Sequence, residues 1–322
     1  MEKVAPLYEP VQAELDQVEE LLRSIKKVDF PLLSDMLEHV LLGEGKKLRP
    51  AVALLSGCFG RYRPDLLVPL AASIEVLHTA ALVHDDVIDE APTRRGRPTA
   101  NSLFTNAPTV MLGDYLFAQA ADHVARTGNI EVIRVFSRTL MAMTRGELGQ
   151  DMTAYDYGQT TASYFQRIGG KTASLFAAAA EGGAIISETS EAWRNTLRDY
   201  GENLGMAFQI VDDILDFTGD EEAMGKPIGS DLIQGTLTLP SLLLMERYPE
   251  DNPVKRLFRN RDREEHLAQA IDMIVNSDII PESYRIAHDF ADRASSALEP
   301  LPPVAARAAL AEITEYVLSR RS

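Results

Sequence analysis

The chain has 322 residues and a formal net charge of -16 at pH 7. A surface this acidic repels nucleic acid and anionic membranes, so an anionic ligand needs a local basic patch or metal ions. Cys58 is the single cysteine, which excludes an internal disulfide and fits a reducing compartment. The first residues contain no apolar signal segment, and no uninterrupted apolar run reaches the ~18 residues of a membrane span. We therefore expect a cytoplasmic protein without a transmembrane segment or a nucleic-acid partner.

Apolar residues recur at helical spacing along most of the chain. The predicted helices, in chain order, cover residues 11–27, 31–42, 51–59, 66–89, 108–126, 129–151, 162–187, 189–217, 240–247, 266–276, 282–298 and 304–320. Pro50 is predicted to open the third helix, because its fixed φ suits a helix start, and the glycine-rich residues 219–239 are predicted to form a loop. The sequence contains no alternating strand pattern and no linker-like change of composition. It therefore predicts one all-α domain over residues 1–322.

Two acidic clusters lie in apolar surroundings on two of the long predicted helices. They consist of Asp85, Asp86 and Asp89, and of Asp212, Asp213 and Asp216. With about 3.6 residues per turn, the first and last aspartates of each cluster share a helix face. Crowded carboxylates repel one another and burial raises their pKa, so a divalent cation is the simplest way to keep them ionised. Oxygen ligands suit Mg²⁺, which binds through carboxylates and substrate phosphates.

One acidic triplet alone is as often a solvated helix face as a metal site. The apolar neighbours argue against that alternative here, because they have to be buried. Gly201 and Gly205 precede Asp212 on the same predicted helix face. From the sequence we expect these glycines to leave space for the tail of a ligand whose charged head lies at the aspartates.

Basic residues occur where a cleft for an anionic ligand needs them. They are Lys46 and Arg49 before a predicted helix, Arg94 and Arg95 after the first acidic cluster, and Lys171 and Lys226 beside glycines. Each one alone is most simply a solvated surface cation. His78 lies near the face of Asp85, two turns earlier, and is predicted to be functional, whereas His84 is compatible with a core position.

Residues 169–172, Gly-Gly-Lys-Thr, are similar to the end of a phosphate-binding P-loop. That motif requires an earlier glycine, where this chain has Phe165, and a preceding strand. Neither feature is present, so a nucleotide hydrolase is a disfavoured alternative.

Taken together, these residues resemble the trans-polyprenyl diphosphate synthase family, over about residues 43–240. The motifs that carry the resemblance are residues 45–50, the first aspartate cluster with Arg94 and Arg95, Gly113-Asp114, Gly146-Glu147 with Gln150, Lys171-Thr172, Phe208-Gln209 with the second aspartate cluster, Gly225-Lys226 and Thr238-Leu239-Pro240.

The resemblance implies a single antiparallel helical bundle with a central cleft, usually a homodimer, that condenses isopentenyl diphosphate head-to-tail with an allylic diphosphate. Several Mg²⁺ ions would bind Asp85, Asp89 and Asp212, with Asp86, Asp213 and Asp216 in support. Isopentenyl diphosphate would contact Lys46, Arg49, His78 and Arg95, and the allylic diphosphate would contact Arg94, Lys171 and Lys226. Thr172 and Gln209 would line the reacting region. The residues expected to carry catalysis are Asp85, Asp86, Asp89, Arg94, Lys171, Asp212 and Lys226.

The chain departs from the family pattern in two places. Thr236 stands where many members have a lysine, and Glu44 and Lys47 replace Gly and Arg in the basic box. Because lysine lacks the bidentate geometry of arginine, we assign no role to Lys47.

The residues that precede Asp85 predict the length of the product. Short-chain members carry bulky aromatics four or five residues before the first aspartate, where this chain has Ala81 and Ala80, and the next residues down the helix are Leu77 and Ile74. An open floor of this kind predicts a long product of about C30 to C50. Geranylgeranyl or farnesyl diphosphate synthase is the alternative, followed by a class I terpene cyclase and a subunit of a heteromeric synthase.

Overall fold

A computed structural model describes residues 5–41, 45–94, 96–219, 227–259 and 263–320. Within these ranges nearly all regular structure is helical, and the strands are limited to one pair of two residues each. The all-α prediction is therefore confirmed.

The helices and strands follow one another in an almost continuous series. The first half contains a 3-10 helix (Ala5–Val11), α1 (Gln12–Ile25), α2 (Pro31–Leu41), α3 (Leu48–Gly57), α4 (Pro64–Ile88), β1 (Thr93–Arg94), β2 (Arg97–Pro98), α5 (Ala100–Phe104), α6 (Asn106–Ala125) and α7 (Ile130–Met152). The second half contains α8 (Thr161–Ile168), a π-helical turn (Gly169–Ala173), α9 (Ser174–Ile186), α10 (Glu191–Thr218), α11 (Ser230–Ile233), α12 (Leu239–Arg247), α13 (Pro253–Arg259), α14 (Arg263–Val275), α15 (Ile279–Ala297) and α16 (Ala305–Ser319).

The structure differs from the predicted elements in several places. Helix α3 begins at Leu48, so Pro50 lies inside its first turn and does not open it. The π-helical turn interrupts the helix predicted over residues 162–187, and α11 lies in the predicted loop 219–239. Helices α5 and α13 were not predicted, because five and seven residues are too few to show helical periodicity.

Helix α10 connects two clusters of buried apolar side chains. It packs against α9, α15 and α16. Leu197 and Leu204, in its first half, belong to the larger core, whereas Ile210 and Ile214, nearer its end, belong to the second. Because α10 is packed along its whole length, the polar residues of its last turns are held in fixed positions.

Glycines allow α9 to approach its neighbours closely. A Cβ atom on Gly183 would lie 2.1 Å from the backbone oxygen of Ala53 in α3. On α10, a Cβ atom on Gly201 would lie 2.5 Å from the backbone oxygen of Phe176 in α9, and one on Gly205 would lie 2.5 Å from the Cα atom of Ala173 in the π-helical turn. The expectation that Gly201 and Gly205 leave space for a ligand was wrong, since α9 and the π-helical turn fill that space.

Helix α4 is long and apolar enough to cross a membrane by length and composition, but 61% of its most apolar stretch is buried inside the protein. The core helix of a soluble protein has the same properties, so this is weak support for a membrane span. Because α4 is a core helix, the aspartates at its C-terminal end are buried or half-buried in the protein.

We predict that Gly183→Ala destabilises the protein, because the added methyl group overlaps a backbone oxygen that cannot rotate away. A loss of about 1–3 kcal/mol in the free energy of unfolding is expected, measured by urea denaturation. Gly149→Ala is the matched control, since no atom lies within 4 Å of its Cβ position, and it is expected to stabilise α7 by up to about 1 kcal/mol. Equal stability of the two variants would contradict the close contact between α9 and α3.

Candidate active site

The first aspartate cluster occupies the C-terminal end of α4. Asp85 and Asp86 lie in its last turn, and Asp89 follows as the C-cap residue. The C-terminus of a helix carries the negative end of the helix dipole, so carboxylates there are electrostatically unfavourable. The arrangement therefore requires positive charge from elsewhere.

Burial adds to this cost. Burial raises the pKa of Asp85 to about 7, Lys171 opposes the increase, and the nearby Glu147 carboxylate adds to it. Burial also raises the pKa of Asp89, again against the effect of Lys171. The neighbouring cations thus compensate only part of the negative charge, and the cluster has the chemistry of a cation site.

Lys171 is placed at the cluster by the π-helical turn. Its Nζ atom lies 2.6 Å from Glu147 Oε2 and 3.3 Å from Gln150 Oε1, both on α7. Burial lowers the pKa of Lys171, but the surrounding carboxylates more than offset this and leave it raised. Lys171 is therefore a charged donor held between α7 and the end of α4.

The glycines around Lys171 allow the turn to cross α7. A Cβ atom on Gly170 would lie 2.9 Å from the backbone oxygen of Ala142, and one on Gly146 would lie 2.6 Å from Lys171 N. Residues 169–172 thus lie within continuous helix and not after a strand, which is incompatible with a P-loop.

Arg94 binds the remaining member of the first cluster. In the hairpin of β1 and β2, its Nε atom donates to Asp86 Oδ1 at 2.7 Å. Burial raises the pKa of Asp86, and Arg94 counteracts this effect. Arg95, Lys226, Gly225 and Glu44, which the sequence analysis also singled out, lie outside the described residues.

In the second cluster, Asp213 is part of a buried hydrogen-bond network. Tyr164 donates its hydroxyl to Asp213 Oδ2 at 2.6 Å, and Gln209 Nε2 donates to Oδ1 at 2.8 Å. Gln209 in turn accepts a hydrogen bond from Thr172 Oγ1 at 2.6 Å. Burial raises the pKa of Asp213 to about 6, although both donors oppose the increase. The network joins α8, the π-helical turn and α10.

Asp216 and Asp212 have opposite environments. Asp216 is fully buried and accepts hydrogen bonds from Ser230 Oγ at 2.7 Å and from the backbone N–H of Asp231 at 3.2 Å. The Asp212 side chain is 51% exposed, and one oxygen accepts a hydrogen bond from Arg320 at 2.8 Å. Of this cluster, Asp212 is therefore the carboxylate open to an incoming ligand.

The basic loop before α3 is fixed from two sides. Lys47 Nζ lies 3.1 Å from Glu75 Oε1, an acid within the apolar run of α4, and Tyr8 donates its hydroxyl to the backbone oxygen of Lys46 at 2.6 Å. The backbone of Lys47 is left-handed, with φ of 51°. Lys47, which was assigned no role from the sequence, thus anchors the loop that carries Lys46 and leads into α3, where Arg49 lies.

Within the described ranges, no group of three or more His, Cys, Asp or Glu side chains forms a ready-made metal site. Mg²⁺ normally binds through one or two carboxylates together with substrate phosphates and water. The separated carboxylates of Asp85, Asp89 and Asp212 fit this mode of binding, in which the substrate supplies the missing ligands.

Comparisons with known proteins agree with this geometry. The family model for polyprenyl synthetase matches residues 30–274. The chain belongs to the polyprenyl synthetase family.

Several of its relatives are named as long-chain synthases, while the solved structures of similar fold also include geranylgeranyl pyrophosphate synthases. Heptaprenyl diphosphate synthase component 2 of Bacillus subtilis is 37% identical over 314 residues, covering 98% of this chain and 90% of the relative. The polyprenyl synthase of Caulobacter crescentus, complexed with calcium and isoprenyl diphosphate, has a TM-score of 0.94 and 34% identity, and covers 99% of this chain and 98% of its own. A decaprenyl diphosphate synthase of Rhodobacter capsulatus has a TM-score of 0.92 and 34% identity, with 99% of each chain covered.

The protein is thus a trans-prenyltransferase with the all-α fold of the isoprenoid synthases. The resemblance stated from the motifs is confirmed.

Other family motifs serve packing. A Cβ atom on Gly113 would lie 2.1 Å from His84 Nε2, which donates to the backbone oxygen of Val110 at 3.0 Å. Gly113 therefore leaves room for the histidine that joins α4 to α6 just before the first cluster. His78 is half-buried on the same helix.

Several residues of the site were missed in the sequence analysis. They are Glu75, Tyr164, Arg320 and, as a partner of Lys171, Glu147. Glu75 could have been found, because it is an isolated acid in the apolar run of α4. Tyr164 and Arg320 had no such signal, since their partners are 49 and 108 residues away in sequence.

We predict that Asp85→Asn stabilises the metal-free protein, and more so at pH 8 than at pH 5. Between the ordinary pKa of 3.8 and about 7, the native protein keeps a proton that the unfolded chain has released, so stability falls as pH rises through this range. The neutral amide removes this loss, and its advantage should grow by about 1–3 kcal/mol between the two pH values in urea denaturation. The exposed Asp35→Asn is the control, and an equal gain at both pH values would contradict a raised pKa for Asp85.

We predict that Tyr164→Phe lowers both stability and kcat, because it removes a donor from a buried carboxylate beside Asp212. The free energy of unfolding should fall by about 1–3 kcal/mol. Tyr200→Phe is the matched control, since this fully buried tyrosine donates to the backbone oxygen of Leu310 at 2.8 Å, away from the aspartates. It should cost comparable stability and leave kcat unchanged, and the same kcat in both variants would contradict the role of Tyr164.

Proposed function

We propose that this polyprenyl synthase condenses isopentenyl diphosphate head-to-tail with an allylic diphosphate in a Mg²⁺-dependent reaction, giving an all-trans polyprenyl diphosphate of about C30 to C50. The observation that carries the proposal is the half-buried and incompletely neutralised carboxylate pair of Asp85 and Asp89, with Lys171 and Arg94 beside it. In this proposal residues 1–322 act as one cytoplasmic catalytic domain.

Asp85, Asp89 and Asp212 are the proposed Mg²⁺ ligands, and Asp86, Asp213 and Asp216 support them through Arg94, Tyr164 and Ser230. The calcium and isoprenyl diphosphate bound to the Caulobacter crescentus relative support a divalent cation in the same fold. When bound, the cations would stabilise the charge that grows on the departing diphosphate.

Basic side chains of the protein would bind the two diphosphates together with the metal ions. Lys171, Arg94 and Lys226 hold the allylic diphosphate and stabilise the leaving group as its bond to carbon breaks. Lys46, Arg49, His78 and Arg95 hold isopentenyl diphosphate, so that its double bond can attack the allylic carbon. A proton is then lost to the departing diphosphate. Thr172 and Gln209 line the reacting region and are fixed by their mutual hydrogen bond.

Product length would be set along α4, below the aspartates. Ala81 is half-buried, while Ala80, Leu77 and Ile74 are buried in the larger core. Ala81 is one turn before Asp85 on nearly the same face, so a growing chain that leaves the aspartates passes it first. The names of the heptaprenyl and decaprenyl relatives support a long product.

The proposal is tested by incubating the purified protein with Mg²⁺, isopentenyl diphosphate and either farnesyl or geranylgeranyl diphosphate, then sizing the products. Products of about C30 to C50 are expected. Products that stop at C15 or C20 would instead establish a short-chain synthase, and turnover of the allylic substrate without consumption of isopentenyl diphosphate would establish a cyclase.

We propose a homodimer as the active assembly. Apolar side chains are exposed on α6 (Val110 and Met111) and on α7 (Met141 and Leu148), which a second copy would cover. The relative named as component 2 of a synthase offers the alternative of a different partner chain. Light scattering of the purified chain distinguishes them, since a dimer with full turnover is expected, and activity that appears only with a second protein would contradict it.

We predict that Ala81→Phe shortens the product to about C15 to C20, because an aromatic ring one turn below Asp85 blocks the growing chain. Ala81→Ser is the control, since it adds one oxygen atom and should leave the length distribution unchanged. Product sizing of both variants with the same primer checks this. An unchanged distribution in Ala81→Phe would place the floor of the tunnel on another helix.

A further inference from the structure

Arg320 brings the end of the described chain to the second aspartate cluster. It follows α16, and its side chain is only 7% exposed. The guanidinium carbon lies 4.1 Å from the ring centroid of Phe208, and Nη2 donates to Asp212 Oδ1 at 2.8 Å. Since the Asp212 side chain is 51% exposed, the buried member of this ion pair is the arginine.

The guanidinium of Arg320 is held in place, but only part of its hydrogen-bonding capacity is used. Its Nε and Nη1 atoms are buried, and neither has a hydrogen-bond partner among the described residues. Unsatisfied buried donors of a charged group are costly. What holds Arg320 in this position is therefore the stacking on Phe208 and the attraction to a single carboxylate oxygen.

The surroundings of Arg320 are already positive. Arg49 also lies against Phe208, with its guanidinium carbon 5.5 Å from the ring centroid. Lys46 lies over the ring of Tyr316, one turn before Arg320 on α16. A divalent cation that binds Asp212 would meet Arg320 at the same carboxylate, and in a partly buried site salt screens this repulsion only weakly.

We propose that Arg320 is a positioning residue that neutralises Asp212 in the metal-free protein and competes with the divalent cation for this carboxylate. Metal binding then displaces the guanidinium and releases the contact between the end of α16 and α10. This inference rests on the proposed function in one respect, namely that Asp212 is a metal ligand.

The test measures the affinity of the protein for Mn²⁺ alone, without substrate, from the free-ion signal in electron paramagnetic resonance. Arg320→Ala should bind Mn²⁺ about 3- to 10-fold more tightly than the unaltered protein, because it removes a competing cation. Arg320→Lys, which keeps the charge but loses the planar stacking on Phe208, should lie between them. Arg285→Ala, an exposed arginine on α15, is the control and should leave the affinity unchanged.

The direction of the change in Mn²⁺ affinity distinguishes competition with the metal from other roles of Arg320. If Arg320 orients Asp212 for the metal, or only supports the fold, its removal weakens Mn²⁺ binding, and that result would overturn the proposal. Unchanged affinity in both Arg320 variants would overturn it as well. Where Arg320→Ala does not fold, as judged by its melting temperature, Arg320→Lys decides by the same direction.

Two further measurements complete the test. In the unaltered protein, Mn²⁺ should increase amide hydrogen exchange in the last turn of α16, and unchanged exchange at saturating Mn²⁺ would contradict displacement. Asp212→Asn should weaken Mn²⁺ binding. If it does not, Asp212 is not a metal ligand and that part of the proposed function fails, whereas failure in the arginine variants alone leaves the proposed function intact.

Discussion

The rest of the site depends on one constraint, which is that negative charge is held at the C-terminal end of a helix, where the helix dipole disfavours it. Asp85, Asp86 and Asp89 lie at the C-terminal end of α4, where both the helix dipole and burial oppose their ionisation. The surrounding structure supplies two cations, Lys171 and Arg94, which offset part of this charge. The remaining negative charge suits a divalent cation, and a bound cation would in turn attract anionic groups.

The two cations reach the cluster through unusual local structure. Lys171 is carried by a π-helical turn that crosses α7 so closely that Gly146 and Gly170 have no room for a side chain. Single π-helical turns within α-helices occur frequently at functional sites, because they redirect side chains that a regular helix would point elsewhere. Glu147 then fixes the ammonium group by an ion pair, so the position of Lys171 is determined by packing and charge together. Within the second aspartate cluster, Asp213 and Asp216 are buried and hydrogen-bonded within the fold, while Asp212 is open to solvent.

The sequence alone was sufficient for the all-α fold and for the two aspartate clusters, because carboxylates that interrupt an apolar helical pattern are visible without any structure. It was insufficient where a role depends on a distant partner. Gly201 and Gly205 were assigned to ligand space because periodicity does not show that the π-helical turn and α9 pack against this face of α10. Lys47 was assigned no role because lysine lacks the bidentate geometry of arginine, and its ion pair with Glu75, 28 residues away, has no sequence signal. Tyr164 was missed because a tyrosine before a basic turn has no motif that points to Asp213.

The central claim is that the fold holds carboxylates whose negative charge a bound cation neutralises. This claim is tested most directly by counting the protons released when metal binds. Mg²⁺ is titrated calorimetrically into the metal-free protein at pH 6.5 in two buffers of different ionisation enthalpy. Because burial raises the pKa of Asp85 to about 7, metal binding must displace its proton, and a release of up to about one proton per chain is expected, disappearing at pH 9. Metal binding at pH 6.5 without proton release would contradict the account, since the carboxylates would then be ionised before the cation arrives.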